Sequence, residues 1–303
     1  MPGGPDCAGH LNTLEFMKPP PQHRQPRRVS RREMATLSLA TGLGGNVLAA
    51  AHHGLPITTA TVEVKTPDGV CDADFFCPAK GAHPGVLIWH DSLGLRPAMR
   101  ELGARMAAEG YSVLAPNLFY RTARTPVFDE SFDYARNPAD RELYGRIVRP
   151  FLAPGAAERD AVAYVSFLDA QRQVNRSRKI GTHGYCLGGP YVLKAAATLP
   201  GRVGAGASFH GGFLVTGEAD SPHLLAPKIR ARLYFAIASD DDQREPDVKR
   251  RLAAAFSAAK VRARIEVYSN ARHGWCVPDS EAHSEPEAER AWAKLVALYK
   301  SSL

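Results

Sequence analysis

Short apolar runs alternate with amphipathic stretches along most of the chain. The run GVLIWH at 85–90 is continuously apolar, which is typical of a strand buried on both faces. Residues 97–109 instead place Met99, Leu102 and Met106 at helical spacing. Because strands and helices of this kind alternate, the pattern predicts crossover connections and a mainly parallel central sheet with helices on both faces.

The same pattern places the other elements. Strands are expected at 62–66, 73–79, 85–90, 111–118, 179–185, 203–210, 231–239 and 263–269. Helices are expected at 97–109, 161–171, 190–199, 247–259 and 285–301. The first two strands flank a Pro-Asp-Gly turn and are expected to pair antiparallel. The chain from 56 to 303 is therefore predicted to be one α/β domain.

One segment interrupts the alternation. Residues 121–155 carry many charges and four prolines. Ligands of parallel sheets bind beyond the carboxyl ends of the strands, and this segment follows such an end. It is therefore predicted to be an insertion that lies over the site.

The first 55 residues have a different character, being rich in Pro, Gly and basic side chains. Ser30 precedes the pair Arg31 and Arg32, and a mildly apolar stretch then leads to alanines at 49–51. This resembles a twin-arginine export signal. The apolar stretch is too interrupted for a stable membrane span. The prediction is an exported or periplasmic protein, and a cytoplasmic enzyme with a disordered basic tail is the alternative.

The formal net charge of +7 is spread along the chain. Residues 1–55 hold six basic and three acidic side chains, which leaves +4 for the remaining residues. A nucleic-acid interface would need a concentrated basic patch. The expected partner is therefore a small molecule, with no nucleic acid, and the oligomeric state stays open.

The cysteines are too sparse for a disulfide framework or a zinc site. Their number is odd, and no CxxC pair or Cys/His cluster is present among Cys7, Cys71, Cys77, Cys186 and Cys276. Cys71 and Cys77 are expected to be buried as small apolar side chains. No metal and no cofactor are expected.

A nucleophile motif follows the predicted strand 179–185. The sequence GYCLGG at 184–189 leads directly into a helix and matches the elbow pattern G-x-S-x-G with Cys186 in place of serine. Gly184 and Gly188 allow the strand and the helix to pass closely, and the helix start favours a thiolate. The alternative is a structural cysteine beside a glycine-rich turn.

Aspartates and a histidine follow the later predicted strands, in the order that a catalytic triad would need. Three aspartates, Asp240 to Asp242, follow one strand, and His273 follows the next. The order nucleophile, acid, histidine is that of α/β-hydrolases. One aspartate would orient His273, which would activate Cys186.

With these motifs, the chain resembles the dienelactone hydrolase (carboxymethylenebutenolidase) family over about residues 61–303. The likeness rests on GYCLGG at 184–189, SFHGG at 208–212, ASDDD at 238–242 and His-Gly at 273–274. It implies the α/β-hydrolase fold and a thiol nucleophile.

The resemblance also implies roles for particular residues. The family triad falls on Cys186, Asp241 and His273, with Asp242 as runner-up. Asp91 takes the position of the family's acidic residue that controls ionisation of the resting thiol.

The oxyanion hole and the substrate pocket follow from the same resemblance. The backbone N–H groups of Ser92 and Leu187 would form the hole. Of the two arginines that hold a substrate carboxylate, Arg121 matches the first, while Val277 stands at the second. His210 is expected either to line the pocket or to be a core histidine, and His183 to be packed inside its strand.

Three functions remain open. The first is a hydrolase of small esters or lactones that uses a cysteine, with uncharged substrates preferred because Val277 replaces an arginine. The second is a redox-active or peroxide-reducing thiol, with Cys276 as resolving partner. The third is a non-catalytic binding protein on the same fold.

Overall fold

The computed structural model describes residues 54–303, so the predicted export signal and Cys7 lie outside the described residues. Eight strands form one sheet. They are β1 (Ile57–Thr66), β2 (Gly69–Pro78), β3 (Gly85–Trp89), β4 (Ser112–Pro116), β5 (Ile180–Tyr185), β6 (Val203–Phe209), β7 (Arg232–Ala238) and β8 (Ala263–Tyr268). Each predicted strand has its counterpart among them.

The strand order is β1-β2-β4-β3-β5-β6-β7-β8. β2 pairs antiparallel with β1 and with β4, and all the other neighbours are parallel. The sheet is therefore mainly parallel, as predicted, and the carboxyl ends of β3, β5, β6, β7 and β8 meet at one edge. Polar residues in the loops beyond that edge can converge on one site.

Seven α-helices accompany the sheet within residues 54–303. They are α1 (Pro97–Ala108), α2 (Pro138–Leu152), α3 (Ala156–Ala170), α4 (Gly189–Thr198), α5 (Ser239–Arg244), α6 (Val248–Ala258) and α7 (Glu285–Lys300). Most lie where the periodicity predicts them. α3 begins five residues before its predicted start at 161.

The inserted segment contains a helix that the apolar pattern does not reveal. α2 begins after Asn137, whose side chain accepts the N–H of Ala139, and Pro138 occupies its first turn. Its buried face is Tyr144, Ile147, Val148 and Phe151, while Pro150 lies inside the helix. Charges and prolines obscure this amphipathic pattern in the sequence.

The core lies on both faces of the sheet. α1 and α7 pack on one face around Met99, Met106 and Leu295. α2, α3 and α4 cover the other face over a cluster rich in aromatic rings, including Trp89 and Tyr164. β3, β4 and β5 are buried along their full length, which explains their continuous apolar or small-residue sequences.

Within residues 54–303, no helix has the length and apolar character needed to cross a bilayer. The same range contains no group of three or more His, Cys, Asp or Glu side chains arranged to hold a metal ion.

Candidate active site

Cys186 lies on a strained turn between β5 and α4. Its φ is 49°, in the left-handed region that L-residues rarely adopt, and it starts a short 3-10 turn, Cys186–Gly188. A Cβ on Gly184 would lie 2.2 Å from the carbonyl oxygen of Gly188, and one on Gly188 would lie 2.2 Å from that of Trp89. Only glycine fits at either position, so the turn holds Cys186 partly exposed above the sheet.

His273 and Asp241 meet beside this turn, although they follow different strands. Asp241 Oδ2 lies 2.7 Å from His273 Nδ1. Asp240 accepts the backbone N–H of His273 at 2.9 Å and so fixes the loop. Asp242 instead binds Lys249 Nζ at 2.6 and 2.7 Å. Of the three aspartates, Asp241 is the one that contacts the imidazole.

Electrostatics favour a protonated His273. Desolvation lowers the pKa of this imidazole, but the charge of Cys186 and the hydrogen bonds to Asp241 and Cys186 outweigh it and raise the pKa well above its ordinary value. An imidazole with a raised pKa keeps both ring protons at neutral pH. The geometry therefore suits an imidazolium paired with the sulfur of Cys186.

His210 supports the backbone of Cys186. Its side chain is buried, and Nδ1 accepts the backbone N–H of Cys186 at 3.1 Å. Burial, together with the charge of His273, keeps the pKa of His210 well below its ordinary range. The ring is therefore neutral with its proton on Nε2, and it lies edge-on to the His273 ring at 4.9 Å. His210 joins the site as a structural support for the turn.

Two more predicted residues, Ser92 in the loop after β3 and Leu187 in the turn after β5, lie beside Cys186. Ser92 Oγ lies 4.0 Å from Cys186 Sγ, and Leu187 follows the cysteine in the 3-10 turn. His90 fixes this loop, because its Nδ1 pairs with the carbonyl of Asp91 at 2.6 Å and its Nε2 accepts the N–H of Leu118 at 3.0 Å.

The carboxylate of Asp91 is held by Arg96 and by the backbone of Leu93. It accepts two hydrogen bonds from Arg96, at 2.6 and 2.9 Å, and one from the N–H of Leu93 at 2.9 Å. These contacts shape the loop. Asp91 is thus adjacent in sequence to Ser92, but its carboxylate forms hydrogen bonds with Arg96 and Leu93 and none with Cys186.

Arg121 is bound by two carboxylates. Its guanidinium binds Asp160 at 2.7 and 2.9 Å and Asp68 at 2.7 Å, beside the turn between β1 and β2. Asp160 is fully buried, and its charge needs this partner. Most of its donors are therefore engaged by Asp160 and Asp68, and the expected contact with a substrate carboxylate stays a prediction.

Val277, at the position of the family's second substrate-binding arginine, is buried in the core. It is 1% exposed and belongs to the core cluster on the α1 and α7 face of the sheet. It therefore does not form an apolar wall of the substrate pocket.

The inserted segment supplies a residue that sequence reasoning missed. Tyr134 OH lies 3.2 Å from Ser92 Oγ, and its ring stacks on Tyr144 at 4.8 Å. Phe128, Phe132 and Tyr134 pack against the same apolar cluster as Cys186. An aromatic-rich insertion was the available signal, but nothing in the sequence specifies which ring reaches the site.

The other titratable groups singled out from the sequence are internal. Cys71, Cys77 and Cys276 are buried free thiols, and burial raises the pKa of Cys71 to about 12 and that of Cys276 well above its usual value. His183 is fully buried against Tyr299 OH at 2.9 Å, so it is packed, as expected.

Fold and site together define a class of protein. A strained turn with Cys186 follows a central parallel strand, and Asp241 and His273 follow later strands in that order, which matches the arrangement of an α/β-hydrolase. The sequence model of the dienelactone hydrolase family matches residues 72–303, and the chain belongs to this family. It is a hydrolase of carboxylic esters or lactones.

Individual relatives agree with this assignment. A Synechocystis protein named "Putative carboxymethylenebutenolidase" is 26% identical over 228 residues, which are 74% of this chain and 89% of the relative. Protein usf of Aquifex pyrophilus is 26% identical over 78% of this chain and 96% of its own. The dienelactone hydrolase-like promiscuous phosphotriesterase P91 from metagenomic libraries superposes with a TM-score of 0.68 at 22% identity, covering 81% and 98% of the two chains, which shows the shared fold.

Proposed function

We propose that this protein hydrolyses small uncharged esters or lactones through a triad of Cys186, His273 and Asp241. The observation that carries the proposal is the 2.7 Å contact between Asp241 and His273 beside a cysteine on a strained elbow. The raised pKa of His273, caused by the Cys186 charge and the Asp241 contact against desolvation, agrees with a thiolate–imidazolium pair.

In the first half-reaction the Cys186 thiolate attacks the ester carbonyl carbon and forms a tetrahedral adduct. The adduct collapses to a thioester as the carbon–oxygen bond to the leaving group breaks. His273 gives its proton to the departing alkoxide. Asp241 holds the imidazole with Nε2 directed at the reaction and stabilises its positive charge.

In the second half-reaction the now neutral His273 takes a proton from water, and the hydroxide attacks the thioester. Collapse releases the carboxylic acid and restores the thiolate–imidazolium pair. The water supplies both the hydroxyl group of the acid and the proton that His273 regains. No other reactant is required.

The oxyanion of both adducts needs donors. The backbone N–H groups of Ser92 and Leu187 serve in this proposal, one from the loop after β3 and the other from the turn that carries Cys186. A donor of this kind lowers the activation barrier by about 3 kcal/mol. The fixed position of the β3 loop, held by His90 and Asp91, supports the assignment.

Two observations support an uncharged substrate. Arg121 is occupied by Asp160 and Asp68, so it offers no cation to a substrate carboxylate. Three aromatic residues of the insertion pack against the same apolar cluster as Cys186, namely Phe128, Phe132 and Tyr134. An apolar surrounding of this kind favours a neutral acyl group over a carboxylate.

A redox function receives less support. Cys276, the candidate resolving thiol, is buried with a pKa well above its ordinary value because of that burial. A thiol that stays protonated is a poor nucleophile toward an oxidised Cys186. A binding protein, in turn, has no use for the Asp241–His273 contact.

The test is hydrolysis of a neutral activated ester by Cys186→Ala, with Cys71→Ala as control. We expect the first variant to lose activity below about a tenth of the wild-type rate and the control to keep it. One equivalent of iodoacetamide should also abolish wild-type turnover. Activity retained by Cys186→Ala would refute the proposal, and kcat/KM for dienelactone above that for a neutral lactone of similar size would refute the substrate assignment.

A further inference from the structure

Two hydroxyl groups form a short chain that ends at the proposed nucleophile. Tyr134 OH lies 3.2 Å from Ser92 Oγ, and Ser92 Oγ lies 4.0 Å from Cys186 Sγ. Ser92 is 4% exposed and Tyr134 is partly buried. Hydrogen bonds in such a sheltered position are stronger than in water.

The insertion holds Tyr134 in place by several contacts. Arg141 donates to the carbonyl oxygens of Tyr134, at 3.2 Å, and Ala135, at 2.8 Å. Asp133 accepts the N–H of Ala135 at 3.1 Å and so closes the turn. The Tyr134 ring lies nearly parallel to that of Tyr144, with an interplanar angle of 16°. The hydroxyl therefore reaches Ser92 from a fixed backbone.

The sequence predicts that an acidic residue controls ionisation of the resting thiol, but two hydroxyl groups lie at this position instead. Asp91 would be that residue, but its carboxylate is bound by Arg96 and by the N–H of Leu93. A carboxylate neutralised in this way neither takes a proton from the thiol nor repels a thiolate strongly. The side chain next to the sulfur from this loop is instead that of Ser92.

We propose that Ser92 and Tyr134 form a hydrogen-bond chain that stabilises the thiolate of Cys186 in the resting enzyme. The proposal rests on the proposed function of Cys186 as nucleophile. A thiolate can only accept, so Ser92 donates to the sulfur and accepts from Tyr134 OH. Ser92 is thus a catalytic residue, and Tyr134 is a positioning residue that acts through it.

The state of Tyr134 agrees with a donor role. Desolvation and then the charge of Cys186 raise its pKa to about 12, so the phenol keeps its proton at neutral pH. Tyr144, in the same ring stack, has a buried hydroxyl without a hydrogen-bond partner among the described residues. The chain therefore offers a matched control, because Tyr144→Phe removes a phenol group that is not part of the hydrogen-bond chain.

The experiment measures the acidity of Cys186 directly, from the pH dependence of its alkylation by iodoacetamide in the full chain. Ser92→Ala and Tyr134→Phe should raise the thiol pKa. Alkylation near pH 6 should then slow by about tenfold for Ser92→Ala, the effect of about one pKa unit, and by a smaller factor for Tyr134→Phe. Ser92→Thr should restore most of the acidity, and Tyr144→Phe should leave it unchanged. Circular dichroism confirms that each variant is folded.

The outcomes separate the two proposals. Unchanged thiol acidity in Ser92→Ala and Tyr134→Phe would overturn the hydroxyl chain while leaving Cys186 as nucleophile. An equal shift in Tyr134→Phe and Tyr144→Phe would also overturn it, since packing alone would then explain both. Hydrolysis that survives Cys186→Ala would overturn the proposed function, whatever the thiol acidity.

Discussion

Arg96 binds the carboxylate of Asp91 with two N–H groups, at 2.6 and 2.9 Å, and binds Asp279 with two contacts at 2.7 Å. This guanidinium lies between the β3 loop and the loop that follows His273. The pair fixes the backbone from which Ser92 reaches the sulfur. Asp91 therefore acts on the geometry of the proposed oxyanion hole.

Asp91→Asn tests this geometric role. We expect kcat to fall by about tenfold to a hundredfold because the loop loses its bidentate partner and the Ser92 N–H is misplaced. The thiol pKa should not rise, since the lost charge is one that Arg96 already neutralises. Asp279→Asn, at the partly exposed end of the same network, should change kcat little. A rise in thiol pKa with unchanged kcat would contradict the geometric role.

Asp241 and Asp242 form a matched pair for the triad. Asp241→Asn should reduce kcat by about 10²–10⁴-fold, because the amide does not hold the imidazole in the required tautomer or stabilise its charge. Asp242→Asn removes a contact to Lys249 and should stay within about twofold of wild type. Steady-state kinetics with a neutral ester measure both. A similar loss in both variants would mean that the helix start, and not one carboxylate, supports His273.

Arg121 should matter for stability and not for substrate binding. Arg121→Met leaves Asp160 buried without its cation and should lower the free energy of unfolding by about 3–5 kcal/mol. Arg124→Met breaks an exposed, solvent-screened pair with Glu63 and should leave the free energy of unfolding nearly unchanged. Urea unfolding measures both. A higher KM for anionic lactones in folded Arg121→Met, with stability intact, would restore the substrate role.

The elbow depends on a close approach that one methyl group would block. Gly188→Ala would place a Cβ 2.2 Å from the carbonyl oxygen of Trp89, a backbone atom that cannot move aside cheaply. We expect loss of hydrolysis together with a clearly lowered Tm. Gly201→Ala, where nothing lies within 4 Å of the added Cβ, should behave as wild type. Full activity in Gly188→Ala would show that the turn tolerates a wider spacing.

Buried histidines predict how stability depends on pH. Burial lowers the pKa of His90 to about 4 and that of His183 to about 3, against about 6.5 in the unfolded chain. The folded state thus favours the neutral rings. The stability that they contribute is complete above about pH 6.5 and is lost as the pH falls from there toward the folded pKa values.

Urea unfolding at pH 7, 5.5 and 4.5 measures this dependence. The free energy of unfolding should fall across the series, and His183→Gln, which cannot be protonated, should make the fall less steep. An equal free energy of unfolding at pH 7 and pH 4.5 would contradict the assignment of neutral buried rings.

The sequence by itself determined the order of the strands along the chain, the elbow and the class of the protein. Each of these depends on neighbouring residues. A strand such as β3 shows itself by a continuous apolar run, and the turn at Cys186 by glycines two positions away on either side. Local periodicity and tight turns depend on residues that are close in sequence, so they can be predicted from the chain alone.

Partnerships between distant residues were decided by the tertiary structure. Asp241 and His273 are 32 residues apart, Arg121 and Asp160 are 39 apart, and Ser92 and Tyr134 are 42 apart. Three adjacent aspartates look alike in the sequence, and only the packed loops bring one of them to the imidazole. The pairing of Arg121 with Asp160 and the burial of Val277 were decided in the same way. Whether a charge meets a substrate or another side chain depends on which loop folds beside it, and no single segment encodes that choice.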